Sequence, residues 1–158
     1  MHFLTTISLG ALALLQPIAA TYTIPFNGPY CPGQPVSSTQ QRAIFNQFIQ
    51  KFYIEKNATA AFSEHVAESY IQHNPNVLSG RENAIAAFDS FDLSAVNFTL
   101  LNVGLDGDRG WVHYRSEGAG MEPSAIVDVF RFNESCIEQH WDVFQTRPAN
   151  ATNPLALW

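Results

Sequence analysis

The chain has 158 residues, of which 46% are hydrophobic and 14% charged, and its formal net charge is −6 at pH 7. This length favours a single domain, and so apolar a composition excludes an intrinsically disordered chain. The excess of 14 acidic over 8 basic residues argues against a partner such as nucleic acid or an anionic membrane, because both require a basic surface.

The N-terminal segment differs in character from the rest of the chain. Residues 3–20 contain no charged side chain and end in small residues before the polar Thr21. This pattern is typical of a secretory signal peptide over residues 1–20, and it predicts a secreted protein. A transmembrane anchor is the alternative, but Pro17 and the short apolar run fit a cleaved leader better.

Two other features agree with export. Four Asn-X-Ser/Thr sequons predict N-linked glycosylation, at Asn57, Asn97, Asn133 and Asn150. Cys31 and Cys136 are the only cysteines, and in an oxidising compartment we expect them to form a disulfide. Two unpaired thiols are the alternative.

The first half of the mature chain has the pattern of an extended arm followed by helices. Residues 21–37 are rich in proline and glycine, which predicts the arm. Apolar residues at helical spacing predict a first helix over about residues 38–53 and a second over about 58–69. A third helix is expected after a cap at Ser79, and Pro75 must end or bend the chain before it.

After Leu93 the apolar pattern changes from helical to alternating. It predicts four strands, at residues 95–103, 110–117, 124–132 and 137–145. Helices followed by an antiparallel meander indicate an α+β fold, with the helices on one face of a curved sheet. The domain should span residues 38–146, and residues 147–158 should form a C-terminal tail.

A charged residue stands among large apolar residues on the predicted strand over residues 124–132. Alternation along this strand puts Asp128 on the same face as Ile126 and Phe130. A carboxylate in such surroundings is costly unless a partner satisfies it. Asp128 is therefore a candidate functional residue.

The following strand supplies candidate partners for Asp128. Its alternating positions put His140, Asp142 and Phe144 on one face. If the two strands pair with their phenylalanines on the same side, the two carboxylates and the imidazole converge. Such a group in an apolar cup suits general acid–base catalysis. In the alternative arrangement, His140 and Asp142 lie on a solvated edge and Asp128 accepts only structural hydrogen bonds.

Two further histidines are weaker candidates for the same site. His73 stands at the bend before Pro75, where a polar side chain can point into a cavity, and His113 belongs to an inner strand. A metal site needs several ligands at recognisable spacing, and His140 and Asp142 offer only two. We therefore predict no metal, and no other cofactor.

Four segments of the sequence resemble a known family. They are Tyr70-Ile71-Gln72-His73-Asn74-Pro75, Gly80-Arg81-Glu82, Ile126-Val127-Asp128-Val129-Phe130-Arg131 and His140-Trp141-Asp142. Together they resemble the SnoaL-like polyketide cyclases of the nuclear-transport-factor-2-like superfamily, whose relatives include ketosteroid isomerase and limonene-epoxide hydrolase. The resemblance covers about residues 38–145, which is the whole predicted domain.

The resemblance implies a fold and a site. It implies a cone in which three N-terminal helices pack on a curved antiparallel sheet and enclose a pocket, with a homodimer formed through the outer face of the sheet. Asp128 matches the strand aspartate that ketosteroid isomerase keeps protonated as a hydrogen-bond donor. His140 and Asp142 match pocket-facing positions, and His73 lies about where that enzyme has its base. Further pocket residues are expected at Asn74, Tyr53, Trp111, His113, Phe130 and Phe144.

The implied function is cofactor-independent acid–base catalysis on a small hydrophobic, oxygenated metabolite of polyketide type. Cyclisation, isomerisation and epoxide opening are the candidate reactions, and the last would use a variant set of Asp128, Arg115 and Asp142. Proton transfer is expected at Asp128 and His73, while His140 and Asp142 orient substrate or water. Two alternatives are a binding protein without turnover and a structural secreted dimer without a pocket.

Overall fold

The computed structural model describes residues 29–153 and 155–158. The predicted signal peptide and residues 21–28 of the predicted arm therefore lie outside the described residues. Three α-helices precede most of the sheet: α1 (Ser38–Ile49), α2 (Ala58–His65) and α3 (Arg81–Asp89). The strands are β1 (Val66–Gln72), β2 (Val96–Asp106), β3 (Arg109–Gly118), β4 (Ser124–Asn133) and β5 (Cys136–Thr146). The α+β class is as predicted.

The first helix begins at a capping box and ends in an unusual turn. Ser37 Oγ accepts a hydrogen bond from the Gln40 amide at 3.3 Å, and Gln40 Oε1 accepts one from the Ser37 amide at 3.0 Å. After α1 the chain continues as a π-helix, Gln50–Ile54, in which the Glu55 amide donates to the Gln50 carbonyl at 2.9 Å. Both Phe52 and Tyr53 are buried in this wider turn.

The sheet has the strand order β1-β5-β4-β3-β2. The four strands predicted from alternation are present as β2 to β5 and pair antiparallel. The sheet is nevertheless mixed, because β1 pairs parallel to β5. The predicted antiparallel sheet is confirmed for β2 to β5, and β1 adds a parallel strand that the sequence analysis did not include.

Strand β1 replaces the end of the predicted second helix, which stops at His65 rather than at residue 69. The inward residues Val66 and Tyr70 lie four positions apart, and this spacing satisfies both a helical face and a strand face. Periodicity alone therefore could not separate the two assignments.

The third helix also begins differently from the prediction. Its N-cap is Gly80 at φ +104°, a conformation that favours glycine, and not Ser79. Ser79 Oγ instead accepts a hydrogen bond from the Gln72 amide at 3.1 Å. The Gly80 amide donates to the Tyr70 carbonyl at 2.6 Å, so this loop is attached to β1 along its edge.

The core lies between the helices and one face of the sheet, which we call the inner face. It is dominated by aromatic rings in edge-to-face contact, such as Phe48 against Phe130 with ring centroids 5.0 Å apart. The opposite, outer face carries Trp111, His113 and Trp141. None of the helices in the described part of the chain has the length and hydropathy needed to cross a membrane.

A disulfide joins Cys31 to Cys136, as predicted, with the two Cα atoms 4.9 Å apart. It attaches the extended segment before α1 to the first residue of β5. Ser135 strengthens this attachment, because its Oγ donates to the Tyr30 carbonyl at 2.6 Å and accepts from the Gln34 amide at 2.9 Å.

Candidate active site

A cavity of about 310 Å³ lies between the helical layer and the inner face of the sheet. Most of its wall is aromatic and comes from both layers, including Phe48, Phe52, Phe62, Phe88, Phe98 and Phe130. Its polar side chains are Gln72, Asn74, Ser116, Asp128, His140 and Asp142. An apolar cavity with a few convergent polar groups is the usual form of a small-molecule site.

The pairing of β4 with β5 brings the acidic and imidazole side chains together. Asp128 lies directly opposite Asp142, and Phe130 lies opposite His140. This is the register predicted from the shared side of the phenylalanines. Asp128 is 5% exposed and His140 is 8% exposed, so the solvated-edge alternative does not apply to them.

Asp128 is surrounded by hydrogen-bonding groups. The Tyr53 hydroxyl donates to Oδ2, and His140 Nε2 lies 3.3 Å from Oδ1. Tyr114 interacts with the same carboxylate from β3. Burial, and secondarily the charge of Asp128, raises the pKa of Tyr53, Tyr70 and Tyr114 well above the ordinary value. All three phenols are therefore protonated at neutral pH and can act as donors.

The hydrogen bonds of His140 determine which ring nitrogen carries a hydrogen. Its Nδ1 lies 2.8 Å from Gln72 Oε1, and that same oxygen accepts the Asn74 backbone amide at 3.0 Å. Since an oxygen can only accept, Nδ1 must be the donor. The other nitrogen, Nε2, faces Asp128.

Asp142 completes the polar end of the cavity. Its Oδ2 accepts a hydrogen bond from Asn74 Nδ2 at 2.7 Å. Asn74 is held in turn, because its Oδ1 accepts the Asn76 amide at 2.8 Å. Asp128, His140 and Asp142 each bring one ligand-type atom within 4.8 Å of the others, a set that could hold a cation. The sequence analysis counted only the last two as metal ligands, although it predicted that Asp128 converges with them.

Comparison with known proteins places this arrangement in a family. The model of the SnoaL-like domain matches residues 42–140. The chain belongs to the SnoaL-like family. No curated protein sequence matches it.

Solved structures share the fold at low sequence identity. An NTF-2 like protein of unknown function from Burkholderia xenovorans superposes with a TM-score of 0.60 at 16% identity, over 71% of this chain and 88% of that one. TsrD from Streptomyces laurentii gives 0.55 at 18% identity, over 69% and 90%. A protein described as a candidate polyketide cyclase from Acidithiobacillus ferrooxidans gives 0.53 at 15% identity, over 69% and 90%. At these identities the likeness shows the cone fold alone.

The prediction that His73 faces the cavity of this SnoaL-like chain is wrong. His73 lies on the outer side of the sheet, where its ring stacks on Trp141 with centroids 4.3 Å apart. Its amide donates to the His140 carbonyl at 3.0 Å, which continues the β1–β5 pairing by one residue. Side chains alternate along such an extended segment, so Gln72 and Asn74 point inward while His73 points outward.

Gln72 is the functional candidate that the sequence analysis missed. The segment was interpreted as a bend after a helix, and a bend gives no rule for the direction of a side chain. Had residues 66–72 been recognised as a strand, alternation from the inward Tyr70 would have placed Gln72 in the cavity.

Two more predicted pocket residues, Trp111 and His113, lie on the outer face. Trp111 is 37% exposed and its indole packs directly over Gly104, while His113 Nδ1 lies 3.2 Å from Asn102 Nδ2. The alternate residues of β3, Tyr114 and Ser116, line the SnoaL-like cavity instead. The prediction of the strand is correct, but the prediction of which of its two faces points into the cavity is wrong.

Arg115 shares the outer face, so the Asp-Arg-Asp set considered for epoxide opening is not formed. Its guanidinium pairs with Glu117 and lies 4.6 Å from the ring centroid of Trp158. The C-terminal tail therefore ends against the outer side of the sheet.

The remaining predicted pocket residues occupy three kinds of position. Phe130 is buried in the wall, and Phe144 is 68% exposed at the mouth of the cavity. Asn74 lines the polar end of the cavity, whereas Tyr53 reaches Asp128 by its hydroxyl from a position outside the lining surface. The catalytic roles expected of Asp128, His140 and Asp142 stay predictions, as does the homodimer through the outer face.

Proposed function

We propose that this SnoaL-like protein is an acid–base enzyme that moves a proton on a small hydrophobic, oxygenated molecule of polyketide type. One observation carries the proposal: Asp128 Oδ1 and His140 Nε2 lie 3.3 Å apart in the wall of an aromatic cavity. Groups that hold a proton between them, within reach of a bound ligand, are what general acid–base catalysis requires.

The hydrogen-bond pattern around the pair determines where it can hold a proton. Because His140 Nδ1 already donates to Gln72, a proton that the pair takes up lies between Nε2 and the carboxylate of Asp128. When this proton is on the imidazole, the Tyr53 hydroxyl stabilises the negative charge on Asp128.

This pair suits a reaction that starts by removing a proton from a carbon next to a carbonyl. The basic partner takes the proton, the electron pair of the C–H bond forms the C=C bond of an enolate, and the π pair of the C=O bond moves to the oxygen. The acidic partner then returns a proton elsewhere. Isomerisation and aldol-type cyclisation both begin with this step. Epoxide opening is less well supported, because Arg115 lies on the other side of the sheet.

The proposal is tested with a probe that reports proton abstraction alone, the base-catalysed ring opening of 5-nitrobenzisoxazole to a coloured phenolate. We expect Asp128→Asn and His140→Gln each to lower the rate by about 10²–10⁴-fold. His73→Ala is the matched control, since it removes an imidazole from the outer side of the sheet and should leave the rate unchanged. Melting temperatures must stay close to the wild-type value.

A binding protein without turnover is the second candidate. It would be favoured if the pocket groups bonded only to backbone, whereas Asp128 and His140 face each other through their side chains. Equal rates for wild type, Asp128→Asn and His140→Gln would reject the enzyme and favour the binding protein.

We also propose that the protein is secreted. Support comes from the Cys31–Cys136 disulfide, which is stable in oxidising compartments, and from the four sequon asparagines, which are all exposed. Expression in a eukaryotic secretory host should give a chain that begins at Thr21 and loses mass on treatment with an N-glycosidase. A mass that includes residues 1–20 without glycan would contradict this proposal.

A further inference from the structure

The two carboxyl groups in the cavity, those of Asp128 and Asp142, differ in the number of groups that contact them. Asp128 has three partners, in His140, Tyr53 and Tyr114. Asp142 has one hydrogen-bond donor, the neutral carboxamide of Asn74. Among the residues of the described chain that line the cavity, there is no lysine or arginine to balance it.

The net charge at the polar end follows from the side chains that form it. They are two carboxylates and one imidazole, so even a charged imidazole could balance only one of the carboxylates, and the imidazole lies against Asp128. The carboxylate of Asp142 is therefore the uncompensated charge, and the site as a whole is negative. An anionic ligand, such as a carboxylate or phosphate, would be repelled.

The surroundings of Asp142 favour an organic cation. Phe144 follows it by two residues on the same face of β5 and is exposed at the mouth. Phe88 and Phe91 belong to the same lining from the helical side. Aromatic ring faces attract an ammonium group, and a carboxylate in the lining of the same cavity supplies its counter-ion.

We propose that the ligand of this cavity carries a basic amine, whose ammonium group pairs with Asp142. Because Asp142 lies opposite Asp128 on the neighbouring strand, the amine is then close to the atom on which the Asp128–His140 pair acts. This inference rests on the cavity being the substrate site of the proposed function, and it adds the charge class of that substrate.

The test compares three ligands with the same aromatic body: 2-naphthylmethylamine, 2-naphthylmethanol and 2-naphthoate. Isothermal titration at pH 7 should show the amine binding about tenfold more tightly than the alcohol, and the carboxylate more weakly than either. Asp142→Asn should reduce the affinity for the amine to that for the alcohol and leave the alcohol unchanged. Asp108→Asn is the matched control, since it removes the same charge from a carboxylate outside the cavity lining.

The outcomes separate this inference from the proposed function. Equal affinities for amine and alcohol in the wild-type protein overturn it, whether or not any variant folds, and so does the absence of binding by all three. A metal site would also overturn it. In that case the protein would bind Zn²⁺ tightly, Asp142→Asn and His140→Gln would abolish this binding, and the amine would not be preferred over the alcohol. If the amine preference holds while 5-nitrobenzisoxazole is not turned over, the acid–base proposal fails and this inference stands.

Discussion

The hydroxyl of Tyr53 donates a hydrogen bond to the carboxylate of Asp128, which lies 75 residues further along the chain. The bond joins the helical layer to the middle of the sheet, and both residues are buried. A contact that supports packing between the two layers therefore also determines the surroundings of the proposed catalytic carboxylate.

Removing this donor should destabilise the protein. Tyr53→Phe leaves one acceptor position of a buried carboxylate without its partner, and we expect a loss of about 1–3 kcal/mol in the free energy of unfolding. Tyr70→Phe is the matched control, because the Tyr70 hydroxyl is also buried but has only a 3.5 Å contact to Gln72 Nε2. Urea denaturation measures the free energy of unfolding of each variant. Equal losses in the two variants would show that the hydrogen bond to Asp128 contributes nothing beyond burial of a hydroxyl.

His65 should make the protein sensitive to acid. It is fully buried between Tyr30 and Phe48, and neither ring nitrogen has a hydrogen-bond partner among residues 29–153 and 155–158. Burial, and secondarily the charge of Lys51, lowers the pKa of His65 from 6.5 to about 4. The unfolded chain therefore binds a proton at a higher pH than the folded one, and stability falls as the pH decreases from 6.5 to about 4.

The size of this effect can be isolated with one substitution. His65→Phe keeps a flat ring without a titrating group, and it should reduce the loss of stability between pH 6.5 and pH 4 by about 3 kcal/mol relative to wild type. Urea denaturation at several pH values measures the difference. His113→Phe, on the outer face, should retain the wild-type loss, and an unchanged acid response in His65→Phe would show that another group is responsible.

Gln72 should act as a positioning residue for His140. Gln72→Leu removes the acceptor of the Nδ1 hydrogen, so the imidazole can exchange between its two tautomers. We expect nitrogen-15 spectra of labelled protein to show Nδ1 always protonated in the wild type and only partly protonated in the variant. The ring opening of 5-nitrobenzisoxazole should slow by about tenfold. A wild-type tautomer in the variant would show that other contacts orient the ring.

The disulfide should make a large contribution to stability. Cys31 and Cys136 close a loop with a sequence separation of 105, so the double variant Cys31→Ser/Cys136→Ser should lose about 4 kcal/mol. Urea denaturation of the variant and of the wild type measures this loss, and the reduced wild type should behave like the variant. A variant as stable as the oxidised wild type would contradict the expectation.

Much of the sheet could be predicted from sequence because its rules are local. Strands β2 to β5 alternate clearly, and the phenylalanines of β4 and β5 indicated how these strands pair. Asp128, His140 and Asp142 were brought together correctly for that reason. The same pattern did not show which face of β3 is inward, because Trp111 and Tyr114 are both large and aromatic.

The errors at the site have a common physical origin. A parallel strand that pairs with the last strand of the chain is a long-range feature, and nothing within residues 66–72 distinguishes it from the end of a helix. The direction of His73 depended on that assignment, as did the role of Gln72. The π-helix was equally hidden, since its extra residue lies within an apolar stripe that also fits an α-helix.

Because of this π-helix, the arrangement of the site depends on one extra residue in the first helical segment. Loss of one codon within Gln50–Ile54 would allow an ordinary α-helix to form and would rotate the residues before the deletion by about 100° relative to those after it. Phe52 and Tyr53 could not then both keep their buried positions, and the phenol would leave Asp128. A single in-frame deletion, far from β4 and β5 in sequence, would thus remove a hydrogen-bond donor from Asp128 without altering any residue that lines the polar end of the cavity.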